Sequence, residues 1–407
     1  MPTLIGPFSQ ILTMDKLPLM GALKDNQLEI IENGGILIKN DIILQVGKFD
    51  NLKKDAKQIE IIKDEQVLLP GFIDTHTHIC FAGSRAKDYA LRNEGISYLE
   101  IAKQGGGIWD TVTKTRAASQ EELEKGLSLR ASKMLSEGVT TCEVKSGYGL
   151  SVEQELKILK AIKNINNKHK IDLIATCLAA HIKPKDFDGN NKQYLDYILK
   201  ELLPKVKQEE LANRIDIFIE ENAFAPKESL SYLLEAKKMG FDITIHADQF
   251  TPYGTKVACD IGAISADHLE ASTEKELKLL ADNDIIGTAL PGASFGLGCE
   301  LAPGRKLLDL GGILVIATDW NPGSAPMGDL LLQVAIYGAY EKLSVAETFS
   351  AITSRAALAI KSENIGILKK DYLADFISFP CNDFREILYH QGKLKPQIIW
   401  KSGKLVN

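Results

Sequence analysis

From about residue 71 to residue 360, short apolar runs alternate with longer amphipathic stretches. Eight runs have strand length: 71–78, 139–145, 173–181, 215–220, 242–246, 263–268, 285–290 and 313–318. Apolar runs spaced by helices predict the strands of a parallel sheet covered on both faces. Capping residues mark where the helices begin. Ser119-Gln120-Glu121-Glu122, Ser151-Val152-Glu153-Gln154 and Ser344-Val345-Ala346-Glu347 each open one, and Gly138 stops the first. Eight β–α units predict an α/β fold of the closed (β/α)8, TIM-like type. A doubly wound open sheet would want a G-x-G-x-x-G turn after an early strand, and the sequence has none there.

The two ends follow a different pattern. Short alternating strands occur at 35–39 and 41–46, and again at 375–379 and 397–400, with Gly403 at a hairpin turn. Neither end carries enough apolar surface to fold alone. Residues 1–65 and 366–407 are therefore expected to build one small β-sandwich beside a barrel of residues 66–365.

Composition narrows the setting. Hydrophobic residues make up 45% and charged residues 25%, the balance of a globular chain with a large core. A net charge of −6 argues against a nucleic-acid partner and means that an anionic substrate needs a cation within the site. The six cysteines form no C-x-x-C pair and suit small buried hydrophobes in a reducing cytoplasm. No basic cluster precedes the first apolar residues, and no apolar run reaches the roughly 18–20 residues that span a bilayer. The expectation is a cytoplasmic enzyme with no membrane partner.

Five of the seven histidines point to the chemistry. His76, His78, His181, His246 and His268 fall at or next to the C-terminal ends of predicted strands, and Asp319 follows the eighth. That end of a barrel is where catalytic side chains converge. His169 and His390 lie in polar surroundings and read as surface residues. His76 and His78 stand at i and i+2, so both point to one face, about 6.6 Å apart along a strand. Two imidazoles that close can share one metal ion. With His246 and Asp319 they make a nitrogen and oxygen donor set that suits zinc and admits iron. A metal so held makes water acidic enough to be a nucleophile at neutral pH. Asp319 is placed to move the proton and His268 to orient the water or polarise a carbonyl.

These strand-end residues resemble the amidohydrolase superfamily. Longer motifs are similar to its branch that opens an imidazolone ring in histidine degradation. They are Asp74-Thr75-His76-Thr77-His78 with Phe81-Ala82-Gly83-Ser84-Arg85, Glu143-Val144-Lys145-Ser146-Gly147-Tyr148-Gly149, His246-Ala247-Asp248-Gln249, Ser265-Ala266-Asp267-His268, and Thr318-Asp319-Trp320-Asn321-Pro322-Gly323-Ser324. The resemblance implies hydrolysis of 4-imidazolone-5-propanoate to N-formimidoyl-L-glutamate, with His76, His78, His246 and Asp319 binding one zinc or iron ion per subunit of a homodimer. It also implies that Arg85 holds the substrate carboxylate, and that Tyr148, His181, Gln249, Asn321, Gly323 and Ser324 contact substrate or product.

Two departures from related enzymes bear on this. The fourth strand ends Ile219-Glu220-Glu221 and lacks the lysine that bridges two metals in binuclear relatives. Gln249 stands where deaminases of the superfamily place an acid/base glutamate. An amide can orient a substrate but cannot shuttle a proton, which counts against the runner-up, a cyclic-amidine or nucleobase deaminase. A barrel that has lost its chemistry is the third reading, though every expected ligand is present.

Overall fold

The computed structural model describes residues 1–96 and 98–406. Eight parallel strands stand side by side in chain order: Phe72–Asp74, Val139–Lys145, Asp172–Ala180, Arg214–Ile219, Asp242–Ala247, Ser265–His268, Ile286–Ala289 and Ile313–Ile316. Thr77 bridges Trp320 in parallel, the Asp319 N–H donates to the His76 carbonyl at 3.0 Å, and the His78 N–H donates to the Trp320 carbonyl at 3.0 Å. These contacts join the eighth strand to the first and close the ring of strands into a barrel.

Each predicted run holds one strand, but the first stops at Asp74 instead of reaching His78. The Asp74 carboxylate is the reason. It accepts from the Thr318 N–H at 3.1 Å and the Thr318 hydroxyl at 2.6 Å, so a side chain takes over from the backbone ladder. Beyond it Thr77 is shared, accepting from the Lys145 N–H at 2.9 Å while bridging Trp320.

The helices start where their caps predict. Ser119 and Glu122 exchange bonds at the head of Gln120–Ser136, Ser151 caps Val152–Asn166, and Ser344 with Glu347 opens Val345–Ser350. In Gln120–Ser136 the buried side chains Leu123, Leu127, Ala131, Met134 and Leu135 form one helical stripe facing the barrel. Burying each such leucine contributes about 1.5–3 kcal/mol. At the other mouth, Ala356, Ala357 and Ile360 pack on Ile73, Ile286, Ile313 and Val315 and plug the barrel floor.

The second layer is one eight-stranded mixed sheet drawn from both ends of the chain. Val67–Pro70 sits at its centre, parallel to Thr3–Leu12 on one side and antiparallel to Phe376–Phe379 on the other. Thr3–Leu12 escapes the sequence pattern because its register shifts between Ile5 and Phe8, where Pro7 has no N–H to give a ladder. Phe8, Ile36, Leu68, Phe376 and Trp400 fill the core of this sheet. Ser402 (φ +51°) and Gly403 (φ +70°) make the two-residue hairpin turn joining Ile398–Lys401 to Lys404–Leu405. Lys401 ties this sheet to the barrel, 2.5 Å from Asp375 and 2.6 Å from Asp172. No helix among the described residues is long and apolar enough to cross a membrane.

Candidate functional site

A cavity of about 1000 Å³ opens at the C-terminal end of the barrel strands. Of the twelve residues singled out in the sequence, all but His76 line it, and His76 lies beneath, fully buried. The structure thus brings them to one place, whereas His169 bonds Ser132 and His390 bonds Glu386 elsewhere.

Four donor atoms converge at the bottom. His246 Nε2 stands 3.3 Å from His78 Nε2, and Asp319 Oδ1 stands 3.4 Å from His78 Nε2 and 3.7 Å from His76 Nε2. Ring nitrogens of His76, His78 and His246 all lie within 4.8 Å of one another, the spacing of a metal-holding group. Carboxylates behind the rings fix which nitrogen faces inward. His76 Nδ1 bonds Asp267 Oδ2 at 2.7 Å, and His246 Nδ1 stands 3.0 Å from Asp216 Oδ2. At His76 that bond puts the hydrogen on Nδ1 and turns the Nε2 lone pair inward, and the Asp216 carboxylate beside His246 Nδ1 favours the same tautomer there. The Nε2 atoms of His246 and His78 face each other at 3.3 Å, and the buried His76 Nε2 has no hydrogen-bond partner, so a cation would give all three a common partner. This donor set fits a metal ion.

The electrostatics agree. Burial holds the His76 and His78 imidazoles well below their usual range, and it lowers His246 despite the opposing Asp216. Neutral imidazole is the form that ligates. Burial pushes the Asp319 carboxyl up to about 7. For His268 burial pulls downward, but Glu270, 3.3 Å from Nδ1, together with Asp319 and Asp267 raises it above its ordinary value. His268 (φ +93°) and Asp319 (φ +51°) are non-glycine residues in the left-handed region, the kind of backbone strain that gathers at functional sites.

The cavity walls carry the remaining side chains. Arg85 precedes helix Ala86–Asn93, and its Nε donates to Asp88 Oδ2 at 2.9 Å. The same oxygen accepts the Gly107 N–H at 2.8 Å, so Asp88 pins the guanidinium to the glycine turn before helix Ile108–Ala117. Arg85 Nη1 lies where a Cβ on Gly323 would meet it at 2.2 Å, which makes Gly323 part of the arginine's berth. Arg92 donates to the Gly323 carbonyl at 3.2 Å from the same helix.

Tyr148 rides on a turn whose N–H groups at Gly147, Gly149 and Leu150 all donate to the buried Glu155 carboxylate, at 3.0, 2.7 and 2.7 Å. His181 Nδ1 lies 3.1 Å from the Gly147 carbonyl, which can only accept, so Nε2 is left as an acceptor. Burial holds His181 down at about 3, keeping it neutral. The Asn321 amide is committed to its own loop: it accepts the Gly323 and Ser324 N–H groups and donates to the Asp319 carbonyl and the Ser324 hydroxyl.

Sequence reasoning overlooked the supporting residues Asp216, Asp267, Lys145, Glu270, Asp88 and Glu155. One signal was present for Asp216: a lone carboxylate inside the apolar strand Ile215-Asp216-Ile217-Phe218-Ile219 demands a partner. Lys145, a charged residue closing the predicted strand Val139–Lys145 beside Glu143, offered a similar one.

The pattern of the amidohydrolase family matches residues 67–406, and the chain belongs to that family. Its relatives include the imidazolonepropionase of Bacillus cytotoxicus, 40% identical over 409 residues that cover 99% of this chain and 96% of that one. The imidazolonepropionase of Bacillus mycoides is likewise 40% identical over 408 residues, with the same coverage. The chain is accordingly a hydrolase acting on carbon–nitrogen bonds. Among solved structures it shares its fold with an adenosine deaminase from Xanthomonas campestris with bound zinc (TM-score 0.73, 16% identity, 99% of this chain and 92% of that one). It also shares it with atrazine chlorohydrolase from Arthrobacter aurescens TC1 complexed with zinc (TM-score 0.71, 15% identity, 99% and 94%).

Proposed function

We propose that the chain hydrolyses the cyclic amide of 4-imidazolone-5-propanoate to N-formimidoyl-L-glutamate, using one zinc or iron ion per subunit. The observation that carries this reading is Arg85, pinned by Asp88 on the wall of the cavity that also holds the four convergent donors. A substrate with a carboxylate suits that guanidinium, and the name of the 40% identical relatives supplies one. The nucleobase alternative offers no carboxylate to the Arg85 guanidinium, and Gln249 cannot shuttle a proton as a deaminase would require.

His76, His78, His246 and Asp319 would hold the ion. When bound, it supplies the Lewis acidity that lets water attack an amide near neutral pH. Asp319 accepts the proton of the attacking water and returns it to the ring nitrogen as the carbon–nitrogen bond breaks. His268, braced by Glu270, orients that water. Arg85 holds the propionate, Tyr148 and the Nε2 acceptor of His181 contact the ring, and Gln249 orients it by amide hydrogen bonds. Asn321 contributes by shaping the turn that presents Gly323 and Ser324.

Freshly generated imidazolone propionate, followed by its ultraviolet absorbance, tests the assignment. Metal-replete protein should consume it. No decay above the uncatalysed rate would sink the assignment.

A further inference from the structure

Beneath the convergent imidazoles the barrel contains a second place for a cation, and the chain fills it with its own. Lys145 Nζ stands 2.9 Å from Glu143 Oε1, 2.8 Å from Asp216 Oδ2 and 3.9 Å from Asp267 Oδ2. Glu143, Lys145 and Asp216 are fully buried, and Asp267 is 1% exposed. Donor atoms of His76, Asp216 and Asp267 also lie within 4.8 Å of one another, a grouping that could hold a metal in its own right.

Three carboxylates cannot stay close and ionised in a dry barrel without a positive charge among them. A divalent ion supplies that charge with oxygen ligands, and so does an ammonium on a fully buried side chain. The ammonium also does something an ion would not. By occupying the space, it leaves His76 Nδ1 bonded to Asp267 and His246 Nδ1 against Asp216, the arrangement that turns each Nε2 toward the cavity. We propose that the Lys145 ammonium stands in for a second metal ion, holding Asp216 and Asp267 in place and limiting the barrel to one ion. The inference rests on the metal-dependent reading of the site, but it concerns stoichiometry rather than turnover.

The test is metal content. The native chain, Lys145→Ala, Lys145→Arg and Lys145→Ala combined with Glu143→Gln are saturated with Zn²⁺, gel-filtered and measured for zinc per chain by mass spectrometry. Expected are one ion for the native chain and Lys145→Arg, two for Lys145→Ala, and one again when Glu143→Gln is added. Should Lys145→Ala fail to fold without metal, refolding in excess Zn²⁺ with recovery of two ions supports the proposal, and failure to refold there overturns it. One ion in a folded Lys145→Ala also overturns it while leaving the single-metal reading intact, and two ions in the native chain overturn both. A native chain that retains no zinc sinks the metal-dependent reading itself, and this inference with it.

Discussion

Replacing Arg85 with alanine isolates the contribution of one guanidinium to substrate binding. Its Nε is already committed to Asp88, so the two Nη groups remain to hold a carboxylate end-on. Hydrogen bonds to charged groups are worth about 1.5–3 kcal/mol each. Water entering an open cavity recovers part of that, so a net loss of about 2–4 kcal/mol is expected. At about 1.4 kcal/mol per decade, KM should rise about 30- to 700-fold. Arg85 lies off the reacting bond, so kcat should fall less than about threefold, the pattern of lost uniform binding. Steady-state decay of imidazolone propionate reads both constants. Gly323→Ala reaches the same place from the other side, because its Cβ would meet Arg85 Nη1 at 2.2 Å, and KM should rise there too. A KM within threefold of native in Arg85→Ala would refute the carboxylate assignment, and a collapse of kcat at unchanged KM would refute the reasoning behind it.

Other outcomes follow from the supporting residues. Asp267→Asn removes the charged partner of His76 Nδ1, and zinc affinity measured by chelator competition should fall about 10- to 100-fold. Asp319, raised to about 7 in the metal-free chain, is protonated below that pH, so a proton must leave before an ion can be ligated. Zinc affinity should therefore climb as pH rises toward 7 and level off above it, and titration calorimetry in buffers of different ionisation enthalpy should show the extra proton release only on the acid side. Glu155→Gln loses the charge that gathers three N–H groups under Tyr148, and the thermal midpoint should drop together with a rise in KM. An unchanged KM would mean that the turn keeps its shape without Glu155.

The strands and their order were legible because most strands covered by helices read as largely apolar runs, and the capping serines mark where several helices begin. The convergent residues were legible because strand ends meet at one mouth of a barrel. What stayed hidden was pairing at long range. Asp267 precedes His268 by one residue, yet it serves His76, 191 positions away. Lys145 could be quoted as part of a motif, but its neighbours Asp216 and Asp267 sit on two other strands, and only the ring closure makes them adjacent. The strand Thr3–Leu12 was lost for a local reason, the register shift around Pro7.

The central position of Val67–Pro70 in the mixed sheet has a consequence for how the protein is made. Leu69 pairs with Ile377, roughly 300 residues further along the chain. At a translation rate of about 5–20 residues per second, that edge waits roughly 15–60 s for its partner, exposing unpaired amides and apolar side chains meanwhile. A polypeptide interrupted before Phe376 never acquires the partner and should aggregate, however well its barrel is formed. The last strands thus act as a completeness check, sealing the sheet after the catalytic part of the chain has already been synthesised.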